Sequence, residues 1–278
     1  MTDPTFQTRF DALKTDLDDP DTRFIGGDMV EALEALLPLA GDGTAAETRL
    51  RRELAVLEGK RGDVACIAHA ARAAALNATH DVLTGAELFW MHYVTADTAN
   101  MWGTGAQTLA HAAGARPHLD AAETTDMHRD SLDLYEASGR IAAGDVAAGH
   151  SALMALDTRL LARDGPTYAG RITVLTRLTD ACNSLGDHTG RIEAGRTIIE
   201  TALAAGDPGR ATSGSISLAR MCLDAGDTAG ARAATEGAAT YAQAASPSTR
   251  TWAAKERQDL LAEIAASRPW WRRLLGLS

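Results

Sequence analysis

Aromatic side chains are scarce in this chain: four phenylalanines, four tyrosines and five tryptophans make up 5% of 278 residues. A core of large rings is therefore excluded, and stability has to come from many small aliphatic contacts. Lysine is rarer still, at Lys14, Lys60 and Lys255 only. The accompanying abundance of Ala, Thr, Asp, Gly and Arg reads as the coding bias of a G+C-rich bacterial genome. No stretch approaches the 18 uncharged apolar residues that a spanning helix needs. Three cysteines, an odd number without a Cys-x-x-Cys, exclude a disulfide framework and point to a reducing compartment. The opening residues MTDPTFQTRFDALK show neither the basic region nor the apolar run of a signal peptide, so a cytoplasmic location is expected.

Catalytic signatures are missing too. There is no G-x-S-x-G, no H-E-x-x-H and no phosphate-binding loop; Gly103-Thr104-Gly105 lacks a third glycine and follows a helical pattern. Eight histidines are present, yet none forms H-x-x-x-H or E-x-x-H, the spacings that aim two ligands from one helix turn. A non-enzymatic chain with no cofactor and no metal is expected. Basic charge is deficient in one half: residues 1–136 hold 23 Asp and Glu against 11 Lys and Arg, whereas residues 137–278 hold 14 against 16. That argues against nucleic-acid binding, which needs clustered cations, and is compatible with a basic partner.

What the chain does have is a repeat. Gly62-Asp63, Gly103-Thr104, Gly144-Asp145, Gly186-Asp187 and Gly226-Asp227 recur at intervals of 41, 41, 42 and 40 residues. Breaks between units fall as evenly, at Pro4, Thr44, Thr84, Thr125, Pro166, Pro208 and Pro247. A fixed period of this size marks a solenoid. Gly ends one helix and Asp caps the next, so each Gly-Asp folds two helices into an antiparallel hairpin. Thr44…Glu47 and Thr84…Glu87 add capping-box patterns. Cys182 and Cys222 stand four residues before their turn glycines, which predicts equivalent core positions.

The unit around Gly226 carries a resemblance. Leu218 and Ala219 precede the Gly226-Asp227 turn, and small residues follow at Ala231 and Ala238; Leu178, Gly186 and Asp187 repeat part of this. The pattern resembles tetratricopeptide-like helical repeats, best over residues 125–267 and less well over 4–124. It departs from them in its longer period and in Cys182 and Cys222, where a tyrosine is common. The resemblance implies an all-α, right-handed solenoid of about six hairpins plus a capping helix, spanning residues 1–267. It also implies a protein or peptide partner held in a concave groove.

Along the chain, Phe6, Phe10, Leu13 and Leu17 share a helix face, and Asp28 is expected to cap a second helix bearing Val30, Leu33, Leu36 and Leu37. The second hairpin offers Leu50, Leu54 and Leu57, then Ile67, Ala71, Ala74 and Ala75. The third concentrates Phe89, Trp90, Tyr93 and Trp102 on one helix, with His92 among them. These residues are candidates both for core and for a groove, with Trp90 or His92 the member expected at the surface. The next helix is expected to carry Glu123, Asp126 and Asp130 on one face, an acidic seat for a basic segment. A small-ligand sensor with its pocket near residues 89–102 is the alternative, and an enzyme using the His118–Asp130 region a weaker one. The helix from Pro247 presents Leu260, Leu261 and Ile264 and should cap the array.

Residues 268–278, RPWWRRLLGLS, form a separate basic and apolar tail, broken from the last helix by Pro269. Trp270, Trp271, Arg272, Arg273, Leu274 and Leu275 suit three roles: folding back over the array, contact with an anionic membrane, or docking to a partner. Membrane contact would place a cytoplasmic protein at the inner face of the membrane.

Overall fold

The computed structural model describes residues 4–18 and 27–267, and every regular element among them is helical. The tail residues Trp270 to Leu275 lie outside the described residues. The chain forms two compact units, Met1–Asp145 and Val146–Ser278. The fold is all-α and of the solenoid type, helical hairpins following one another in chain order within each unit.

The first unit contains α1 (Pro4–Asp18), α2 (Gly27–Glu34), α3 (Leu37–Ala40), α4 (Ala45–Lys60), α5 (Ala65–His80), α6 (Gly85–Trp102), α7 (Gly105–Ala115), a 3-10 turn (Arg116–Ala121) and α8 (Asp126–Ala142). Helices α4 and α5 pair, as do α6 and α7; α6 lies on α4, and α8 on α7. Phe6 and Phe10 stack with ring centroids 5.4 Å apart and bury against Leu33, Leu36, Leu50 and Leu54. The second helix of this first repeat is shorter than the pattern predicts. Pro38 has no N–H to give the Glu34 carbonyl and its ring would strike it, so α2 stops at Glu34 and α3 restarts as a single turn. Asp28 lies inside the first turn of α2 instead of capping it.

The second unit contains α9 (Val146–Asp164), α10 (Gly170–Leu185), α11 (His188–Ala204), α12 (Pro208–Asp224), α13 (Thr228–Ala242) and α14 (Pro247–Ala266). Each packs on the next from α9 to α14. Helix α14 buries Leu260 and Ile264 against the α12–α13 pair, with Leu261 partly covered, as its capping role requires. Cys182 and Cys222 are both buried free thiols, as is Cys66.

The turns explain the regularity. Gly62, Gly144, Gly186 and Gly226 have φ of +70°, +95°, +70° and +76°. In each case the following Asp N–H donates to the carbonyl five residues back, from Asp63 to Glu58 (2.9 Å) through Asp227 to Cys222 (2.8 Å). This is the Schellman closure, which only glycine adopts without strain. Gly206-Asp207, between two hairpins, does the same with φ +69° and a 2.9 Å bond to Ala202. Asp187, Asp207 and Asp227 then cap α11, α12 and α13, accepting from the N–H groups of Gly190, Arg210 and Gly230 at 2.8–2.9 Å. From Gly186 to Gly226 the second unit therefore repeats every 20 residues, one helix at a time. Gly103 does not belong to the set. Its φ is −95°, and it is glycine because a Cβ there would come within 2.9 Å of the Ala99 backbone.

Two further expectations shift. The Thr84–Glu87 capping box is complete, but Glu47 bonds the Gly43 N–H and Arg72 instead of closing the box at Thr44. Helix α5 buries Cys66, Ala70, Ala73 and Leu76, a face turned about one residue from Ile67, Ala71, Ala74 and Ala75. With alanine at most positions, the apolar pattern there has no contrast to set the angle.

Gly105 at the start of α7 meets Gly139 in α8. A Cβ at Gly105 would lie 2.5 Å from the Gly139 carbonyl oxygen and 2.6 Å from the Ala143 nitrogen. Backbone cannot swing aside as a side chain can, so G105A should cost about 2–3 kcal/mol in a urea titration. A loss under 0.5 kcal/mol would show that α7 and α8 do not touch there.

Candidate functional site

Helix α6 presents the aromatic residues singled out above. Phe89 is fully buried, Trp90, His92 and Tyr93 are half-buried, and Trp102 is 68% exposed. Phe89 and Tyr93 stack at 5.4 Å, and Trp90 meets both edge-on at 5.1 and 5.8 Å. Two residues of α8 complete the cluster: His128, 5.2 Å from Trp90, and Tyr135, whose hydroxyl donates to Asp97 Oδ1 at 2.8 Å. Phe89, Trp90 and Tyr93 of α6 thus pack against one another and against His128 and Tyr135 of α8. Trp102 is remote from them at the end of α6, near Gly62, where Met101 and Val64 are also exposed.

Of the acidic candidates, only Asp126 and Asp130 lie on α8. Glu123 precedes the helix with φ +45°, so the three carboxylates do not share a helix face. Asp126 is exposed, whereas Asp130 is buried. Farther along α8, Arg116 bonds Asp133 at 2.7 Å and Glu136 at 2.8 Å, which removes much of the negative field a basic partner would meet. His128 has a local role as well: its Nδ1 accepts the Thr125 N–H at 3.0 Å at the start of α8.

The first unit also pairs ionisable groups in ways that sequence spacing did not show, and His92, expected at the surface, is one of them. His92 and His111 place their Nδ1 atoms 3.1 Å apart. Burial pushes both down to about 4, and for His92 the neighbouring His111 and His118 add to it. Both rings are neutral at pH 7, and one Nδ1–H donates to the other. Gly114 makes the room, since a Cβ there would lie 2.8 Å from the His92 ring. Glu58, on α4 of the same unit, is 3% exposed. Burial, then the charges of Asp63 and Glu34, push its carboxyl up to about 7 against the weaker pull of Arg61 and Arg51.

The second unit holds an open groove of about 530 Å³ formed by α10, α11 and α12. Ile172, Ile198 and Met221 supply its apolar surface. Gly195 and Gly214 let the helices close on it, for a Cβ would meet Met221 Sδ at 3.1 Å or Ile198 at 3.2 Å. The rim carries hydroxyls, but Thr176, Thr179 and Ser213 donate to backbone carbonyls of their own helices at 2.7–3.1 Å and offer only acceptor lone pairs outward. The charged donors are Arg177 and Arg210. Each is held loosely, by Asp180 at 3.7 Å and Asp207 at 3.3 Å, in exposed pairs of little net strength. None of these residues stands out in sequence, because Ser, Thr and Arg at helical spacing look like an ordinary solvated face.

No helix among the described residues is long and apolar enough to cross a membrane. No protein-family model matches the chain, and no curated protein matches it. Among solved structures it is similar to the crystal structure of BtubC (BKLC) from P. vanneervenii: TM-score 0.55 and 15% identity, over 87% of this chain and 92% of that one. A second similar structure, at TM-score 0.46 and 12% identity over 87% of this chain and 71% of that one, is a Rap protein complexed with Competence and Sporulation Factor. At such identities likeness speaks for fold alone. The helix order and the BtubC likeness together make this a helical-repeat protein.

Proposed function

We propose that the chain is a tetratricopeptide-like interaction scaffold without catalytic activity, and that the α10–α12 groove receives an acidic segment of a protein partner. The observation that carries this reading is the pairing of an apolar floor with two loosely held guanidinium groups at an open groove. Guanidinium presents a planar fork of donors that carboxylates match. The outward acceptors on the rim favour backbone N–H groups of the same segment. Acidic recognition departs from the basic partner expected from overall charge, because the groove belongs to the half of the chain that is not acidic.

Fluorescent peptides of equal apolar content, one set rich in Asp and Glu and one in Lys and Arg, provide the test. The acidic set should bind the full chain, more weakly as salt rises, and R177E/R210E should lose at least tenfold, about 1.4 kcal/mol. Preference for the basic set, or affinity indifferent to R177E/R210E, would overturn the reading.

A further inference from the structure

The surroundings of Glu58 hold an arrangement that peptide binding does not use. Glu58 of α4, His69 of α5 and Glu34 at the end of α2 each offer one ligand atom, and the three atoms lie within 4.8 Å of one another. Glu58 and His69 are buried, whereas Glu34 is exposed. Glu58 Oε2 is buried without a hydrogen-bond partner among the described residues. Its other oxygen faces His69 Nε2 at 3.6 Å, beyond ordinary hydrogen-bond length. A buried carboxylate with no donor on its inner oxygen thus faces an exposed second carboxylate and an imidazole, an arrangement that a proton or a bound cation relieves.

We propose that Glu34, Glu58 and His69 form a site for one divalent transition-metal ion of the zinc class. One imidazole nitrogen and two carboxylate oxygens are ligands that zinc accepts at about 2.0–2.2 Å, which requires only a small inward movement of the three side chains. The fourth position opens on the exposed Glu34 side and would take water. Calcium fits poorly, since it asks for six or more oxygens.

The site has one opponent. Arg51 Nη1 lies 3.0 Å from His69 Nδ1. A guanidinium can only donate, so Nδ1 accepts and the ring proton sits on Nε2. Metal binding at Nε2 moves that proton to Nδ1 and turns Nη1 away. Arg51 can yield, because its Nε also reaches Glu47 Oε1 at 3.3 Å. Bound metal would then fasten the end of α2, where Pro38 has interrupted the helix, to the α4–α5 hairpin.

The test titrates ZnCl2, and Co2+ as a visible-spectrum probe, into the full chain after chelator treatment, with calorimetry and thermal melts. Wild type should bind one ion with micromolar or tighter affinity and melt at higher temperature. H69Q should lose at least 100-fold in affinity and the Co2+ absorption bands. E34Q, at an exposed position where folding is not at stake, should lose at least tenfold. R51M should bind more tightly than wild type, an effect that zinc held elsewhere on the surface would not show. Absence of stoichiometric binding, or binding undiminished in both E34Q and H69Q, would overturn the proposal.

Discussion

Alanine in place of Asp157 is expected to destabilise the second unit by about 3–5 kcal/mol. Asp157 in α9 receives two bonds from Arg171 in α10, Nε to Oδ1 at 2.8 Å and Nη2 to Oδ2 at 3.0 Å. The Arg171 side chain is 4% exposed and that of Asp157 18%. Removing the carboxylate strands a buried guanidinium that cannot shed its proton. It also leaves a cation in the first turn of α10, at the positive end of that helix. In urea the midpoint should fall with an unchanged slope. The double variant D157L/R171M should recover most of the loss, because a well-packed apolar pair replaces buried charges at little cost. A D157A protein within 1 kcal/mol of wild type would mean that water reaches Arg171 freely.

The second large effect depends on pH. Glu58 holds its proton up to about 7 in the folded chain, against an ordinary value of 4.5. A carboxyl raised in this way contributes stability that is complete below pH 4.5 and lost as pH climbs through 7. At 1.36 kcal/mol per unit the loss reaches about 3 kcal/mol. E58Q cannot ionise, so its stability relative to wild type should improve by about 2.5 kcal/mol between pH 5 and pH 8, measured with chelator present, the rest of the loss falling below pH 5. Any fixed cost of the amide cancels in that difference. His92 and His111 oppose the trend: held near 4, they lose stability as pH falls from 6.5. In E58Q this acid limb stands unopposed, so stability should rise from pH 5 to about pH 7 and then level off. A difference between E58Q and wild type that stayed flat across that range would show that Glu58 ionises as it would in water.

The contrast between Gly226 and Gly103 shows what could be read from the chain and what could not. Both end a helix in the same spacing, so the hairpin count and most helix limits were legible from local chemistry. Their opposite signs of φ were not, because Gly103 answers to the crowding of Ala99. Glu123 is a similar case: its spacing to Asp126 and Asp130 is helical, yet the 3-10 turn at Arg116–Ala121 delays α8 until Asp126. The aromatic cluster was half legible. Phe89, Trp90 and Tyr93 announce themselves by rarity, but His128 and Tyr135 reach them from another helix, and no local period reports that. Partners such as Arg171 with Asp157, His92 with His111, and Glu58 with His69 arise only when helices pack. The arginines of the α10–α12 groove are hidden for another reason, since nothing in composition separates a groove wall from a solvated face.

The one-helix repeat of the second unit bears on how such a chain can change length. Every Gly-Asp closure reverses the direction of the chain, so each helix runs opposite to the one before it. Loss or gain of a single 20-residue segment would leave all later helices pointing the wrong way and exchange their inward and outward faces. Two segments together restore the direction and leave the neighbours' surfaces matched. Lengthening or shortening by duplication is therefore restricted to steps of two helices, even though the same Gly-Asp turn recurs at each joint from α10 to α13.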